Sequence, residues 1–92
     1  MKKSVKLDAE MYKGRKVSYI YMVKIVYMDG FEVYEPHATK EGAISAMNIM
    51  FRDYDVVKTV THDEDCFYSV LGIVMNHDTV KYYTIDSQIL MR

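Results

Sequence analysis

Residues 16–35 read KVSYIYMVKIVYMDGFEVYE, and the interpretation of this run decides the fold. β-branched and aromatic residues dominate it up to Met28, and again from Phe31 to Glu35, as in two strands joined by a turn. Asp29-Gly30 is a strong hairpin signal, because a type I′ turn needs positive φ at both central residues. A two-residue loop there sets Met28 opposite Phe31, Tyr27 opposite Glu32, Val26 opposite Val33, Ile25 opposite Tyr34 and Lys24 opposite Glu35. Side chains alternate across a strand. One face then collects Ile20, Met22, Val26, Met28, Phe31 and Val33, with Lys24 and Glu35 paired at its edge. The other collects Tyr19, Tyr21, Val23, Ile25, Tyr27 and Tyr34.

Downstream, Pro36 has no N–H for a ladder and stops the second strand. Thr39 reads as a helix N-cap, with Glu41 placed to meet the positive end of the helix dipole. Residues 40–54 follow a helical period: Ala43, Ile44, Met47, Met50, Phe51 and Tyr54 fall on one stripe, and Ile49 falls opposite it. Gly42 costs about 1 kcal/mol in a helix relative to alanine, which points to close packing in the first turn. DVVKTVT (55–61) is a strand by composition, and His62-Asp63-Glu64-Asp65 a polar turn. CFYSVLGIVM (66–75) is a strand that is apolar on both faces, with Phe67, Leu71, Ile73 and Met75 on one and Cys66, Tyr68, Val70 and Val74 on the other. Asn76-His77-Asp78 turns the chain into TVKYYTID (79–86), the last strand, which residues 87–92 extend or fold back upon. The expected fold is α+β: a two-layer sandwich of about five antiparallel strands in ββαβββ order, with one helix over one face.

Ninety-two residues read as a single domain, 1–92, with 1–15 a basic arm or short extra strand and 16–92 the core. Half of the chain is hydrophobic and 27% is charged, the composition of an ordinary globular protein. Its opening lysines precede no apolar signal-peptide core, and its longest apolar run falls well short of the roughly 18 residues of a membrane helix. The expected location is cytoplasmic. The net charge of −1 hides an asymmetry, for residues 1–16 carry six basic and two acidic side chains. Lys2, Lys3, Lys6, Lys13, Arg15 and Lys16 are therefore the candidate nucleic-acid contacts. The acidic remainder of the chain opposes broad phosphate binding, which requires many phosphates to be neutralised together.

No residue grouping asks for catalysis or a cofactor. His62, Asp63 and Asp65 lack the regular spacing of an EF-hand loop. His77 and Asp78 lie at the far end of a ten-residue strand, about 33 Å away at 3.3 Å per residue. Cys66 follows three carboxylates, which raise a thiol pKa when a nucleophile needs it lowered. There is no glycine-rich phosphate loop, no HExxH and no motif placing Ser, His and Asp together. The expectation is no enzyme, no metal and no cofactor.

Nine tyrosines without a tryptophan are a heavy aromatic load. With the helix over the Ile20, Met22, Val26, Met28, Phe31 and Val33 face, Tyr19, Tyr21, Val23, Ile25, Tyr27 and Tyr34 are left open. A patch of that kind marks an interface. Tyrosine suits it, joining a large contact area to a polar tip. Ile49, Tyr82 and Tyr83 are secondary contacts. The expected partner is another protein, a host protein or a second copy of this chain. In kind, a motif-free single domain rich in Tyr, Met and Lys resembles the small accessory proteins of phages and mobile elements. That resemblance implies inhibition of a host or defence protein by surface contact. One alternative is a nucleic-acid or nucleotide-binding domain that uses the tyrosine face and basic arm. The other is a regulatory homodimer with a ligand between its copies.

Overall fold

The computed structural model describes residues 17–64 and 67–91. Its elements are β1 (Val17–Tyr27), β2 (Glu32–His37), α1 (Lys40–Met50), β3 (Val56–Glu64), β4 (Phe67–Val74) and β5 (Val80–Met91). The strands form one antiparallel sheet in the order β2-β1-β5-β4-β3, with α1 on one face. This is the α+β sandwich of ββαβββ order. Residues 1–16, which include the predicted arm or extra strand, lie outside the described residues.

The hairpin differs from its sequence reading by one residue. Tyr27 N–H donates to the Phe31 carbonyl and Gly30 N–H to the Tyr27 carbonyl, both at 2.9 Å. The loop therefore holds Met28, Asp29 and Gly30, with Gly30 at φ +91°. This is the three-residue hairpin form, in which glycine supplies the left-handed position. The Asp29 carboxylate secures it by accepting the Phe31 N–H at 2.9 Å. Ile25 now faces Val33, Lys24 faces Tyr34 and Val23 faces Glu35. A slip of one residue exchanges the faces of a whole strand. Phe31 and Val33 thus join the side of Val23 and Ile25, while Tyr34 moves to the opposite side. Glu35, no longer opposite Lys24, pairs with His37 Nε2 at 3.1 Å.

The helix covers the face that the sequence reading left open. Tyr21, Val23 and Ile25 are buried beneath it, together with Tyr83 and Ile85 of β5 and Tyr68, Val70 and Val74 of β4. The reason lies in β5, the central strand, whose other face carries Thr84, Asp86 and Gln88. Burying those polar groups without partners costs several kcal/mol, roughly 1–3 for each. The helix goes where all five strands together are most apolar.

Thr39 caps α1 as expected, its Oγ1 accepting the Gly42 N–H at 3.0 Å. A Cβ at residue 42 would meet that same oxygen at 3.0 Å, so the glycine lets the cap close tightly. Ala43, Met47 and Phe51 are buried and Ile44 is half-buried. The helix ends at Met50, four residues before the predicted end. Phe51 still donates its N–H to the Met47 carbonyl at 3.0 Å, but Tyr54 leaves the stripe and sets its ring 4.3 Å from that of His77. Two polar bridges carry α1 across to β3: Lys40 to Asp63 at 2.9 Å, and Lys58 to Asn48 at 3.0 Å.

β3 and β5 run further than their compositions suggested. The polar segment His62-Asp63-Glu64 continues β3 past a register shift between Val60 and His62. It stays extended because His62 stacks on Phe67 (4.0 Å) and Asp63 reaches Lys40. β5 pairs along all of β1, from Tyr27 opposite Val80 to Val17 opposite Met91, so residues 87–91 extend the strand.

Candidate interaction surface

The side chains opposite the helix form three rows across the sheet. Val26, Tyr82, Ile73 and Val57 stand side by side on β1, β5, β4 and β3, spanning about 14 Å at normal strand spacing. The next row is Tyr34, Lys24, Thr84, Leu71 and Thr59, and the third is Pro36, Met22, Asp86, Ser69 and His62. Val57 is 53% exposed, Ile73 41% and Tyr34 57%, whereas Val26 is buried among its neighbours. Polar contacts fix the borders of this apolar strip. The Tyr34 hydroxyl donates to Glu32 at 2.8 Å, and the Ser69 hydroxyl donates to Asp86 at 2.7 Å. The bond to Glu32 raises the Tyr34 phenol pKa above its usual 10.0.

The partner-binding residues expected from sequence are dispersed. Tyr21, Val23 and Ile25 are buried and Tyr19 and Tyr27 pack against the same core, so these five are core rather than open surface. Tyr34 alone of the six stands exposed on the helix-free face. Among the secondary residues, Tyr82 is half-buried within the apolar row, and Tyr83 is buried against the helix. Ile49 is 65% exposed on the outer side of α1. Lys2, Lys3, Lys6, Lys13, Arg15 and Lys16 lie outside the described residues, as does Cys66. Sequence reasoning missed Val26, Leu71, Ile73 and Val57 as one strip. Val26, Leu71 and Ile73 lie on faces that alternation groups within their own strands, the sequence reading assigns no face to Val57, and only the strand order makes the four neighbours.

The tyrosines of the covered face give the fold an alkaline limit. Burial raises the Tyr83 phenol above 10.0, reinforced by Tyr68. Burial also raises Tyr68, with Asp63 adding to the shift and Lys40 opposing it. The hydrogen bond to Asp63 raises Lys40 in turn. All three groups hold their protons to higher pH when folded than when unfolded. Their contribution to stability is therefore complete below about pH 10 and is lost as the pH rises through the folded values. Urea midpoints are expected to be level from pH 7 to about 9 and to fall steeply beyond about 10, with tyrosinate absorbance appearing as the chain unfolds. Tyrosinate absorbance from all of the tyrosines before any loss of structure would contradict this.

Among the described residues no group of His, Cys, Asp and Glu is placed to hold a metal ion, and no helix is long and apolar enough to cross a membrane. Comparison of the chain with protein-family models, with curated proteins and with solved structures returned no match. The class of the molecule is therefore defined by its architecture: an α+β sandwich in which, among the described residues, one helix covers one face of the sheet and leaves the other open.

Proposed function

We propose that this is a non-enzymatic binding protein that docks another protein on the helix-free face of its sheet. The observation that carries the reading is the apolar row Val26–Tyr82–Ile73–Val57, which no second layer covers among the described residues. Exposed apolar rows bordered by polar side chains are what protein interfaces present. The charges on this face are Lys24 against Glu32, Asp86 and Glu64, a balance that favours a protein partner over a phosphate backbone. Action by surface contact, as in an accessory protein that blocks a host or defence protein, needs only this kind of face.

Ile73→Glu places a charge at the centre of the row on a residue that is partly exposed, so the fold is expected to survive it. Ile49→Glu on the outer side of the helix is the control. The native mass of each variant, and the proteins each retains stoichiometrically from source-cell lysate, should separate the outcomes. Loss of the partner by Ile73→Glu, about a hundredfold in affinity for a central contact, with retention by Ile49→Glu, is the expected result. A dimer dissolved by Ile73→Glu makes the partner a second copy of the chain. Capture released by nuclease, or unaffected by Ile73→Glu, overturns the reading.

A further inference from the structure

The sheet has two edges, and they are built differently. On β2, Tyr27 N–H bonded to the Phe31 carbonyl directs the backbone of residues 31, 33, 35 and 37 towards β1. Glu32, Tyr34 and Pro36 then point outward. Pro36 has no N–H to offer, and Glu32 and Glu35 add negative charge. A short edge carrying proline and charges is closed to further pairing.

The β3 edge carries no proline over its first half, and its one charge there is Lys58. Met75 N–H donates to the Asp55 carbonyl at 2.8 Å, so residues 55, 57 and 59 face β4 in the alternating ladder. The N–H and C=O groups of Val56, Lys58 and Val60 therefore point away from the sheet, and among the described residues no strand follows β3 in the sheet order. The register shift after Val60 ends this regular edge. Its usable length is that of a short segment of three to five residues.

A groove lies beside this edge on the helix side. It encloses about 290 Å³ between the last turn of α1 and the start of β3. Met47, Phe51 and Val56 give it apolar walls, and Asn48, Arg52 and Lys58 give it a polar rim with two cations and no carboxylate. Lys58 already donates to Asn48 at 3.0 Å, which holds its ammonium at the rim. Asp53 and Asp55 lie close in sequence but are exposed and do not line the groove.

We propose that the free edge of β3 takes up an extended peptide segment of a partner protein as a sixth antiparallel strand, with an acidic side chain of that segment seated between Lys58 and Arg52. Strand addition supplies main-chain hydrogen bonds along Val56, Lys58 and Val60, and the groove reads every second side chain. A carboxylate there gains charge-assisted hydrogen bonds that a neutral side chain does not. A second copy of this chain fits poorly, because self-pairing centred on Lys58 sets two lysines opposite each other. This inference rests on the reading of the protein as a binding protein but uses a different surface, so the two can fail separately.

The test is a titration of the full chain with acetyl-Thr-Val-Glu-Val-Thr-amide, followed by amide NMR. Saturable shifts and slowed exchange at the amides of Val56, Lys58 and Val60 are expected at about 1 mM peptide, in the range of a weak strand-addition contact. The Gln analogue of the peptide should bind about tenfold more weakly, as should the Lys58→Gln and Arg52→Gln variants. Ile73→Glu, on the helix-free face, should bind the peptide unchanged. Equal binding of the Glu and Gln peptides, shifts that map to β2 or the helix-free face, or no shift at all would overturn the proposal.

Discussion

Tyr83→Ala is expected to lower the unfolding free energy by about 3–5 kcal/mol, the range for removing a large aromatic side chain from a packed core. Tyr83 is 2% exposed and sits on β5, the central strand. Its ring stacks against Phe51 at 5.5 Å between centroids and 3° between planes, and its other face lies over Gly72. Truncation leaves Phe51 without its partner and opens the space where helix and sheet meet. Collapse into that space is hindered, because among the described residues no third layer stands ready to move in. A domain of this length has about 5–15 kcal/mol in total, so the variant should be marginal. Urea unfolding followed by circular dichroism measures it, and a loss below about 1 kcal/mol would show that the ring is not the joint between the layers.

Gly72→Ala carries the second large effect and acts on the same joint from below. A Cβ at residue 72 would come within 2.5 Å of Tyr83 Cε2 and Cζ and 2.9 Å of its hydroxyl oxygen. Gly72 pairs directly with Tyr83 across β4 and β5, so the ring lies where a side chain would otherwise stand. It cannot rise to make room, because Phe51 is stacked above it. The overpacking is expected to cost about 1–3 kcal/mol, more than the small gain from a less flexible unfolded chain. The double variant Gly72→Ala/Tyr83→Leu should lose less than the two single losses combined, since a shorter side chain relieves the clash. Strict additivity would mean that Gly72 matters for a reason other than the ring.

The element order was legible in the residues themselves. Alternation in β1 and the cap at Thr39 are local signals that appear at their expected places, and the helical stripe appears through Ala43, Ile44, Met47 and Phe51, while Met50 and Tyr54 are exposed. What went astray depended on information held elsewhere in the chain. Asp29-Gly30 suits both a two-residue and a three-residue loop, and nothing in the hairpin alone selects between them. The choice moves Phe31 and Val33 from one face to the other, because the side-chain period of a strand is two. His62, Asp63 and Glu64 are polar enough to read as a turn. They remain in β3 because Phe67 and Lys40 offer partners.

The candidate surface shows the same division. Alternation alone determined that β1 has a Tyr21-Val23-Ile25 side and a Met22-Lys24-Val26 side. It could not determine which of them the helix would take, since both are apolar enough to be buried. That choice was made in the tertiary structure by β5, which lies between β1 and β4 and carries Tyr83 and Ile85 on one side but Thr84, Asp86 and Gln88 beside Tyr82 on the other. Once Tyr83 and Ile85 face the helix, Thr84 and Asp86 must face away, and every strand paired with β5 follows its parity. Local residue patterns carried the element order and the alternation within each strand. The joining of Val26, Tyr82, Ile73 and Val57 into one row opposite the helix was decided only by strand order and register, because the burial free energy of a helix depends on the whole sheet beneath it rather than on any one strand.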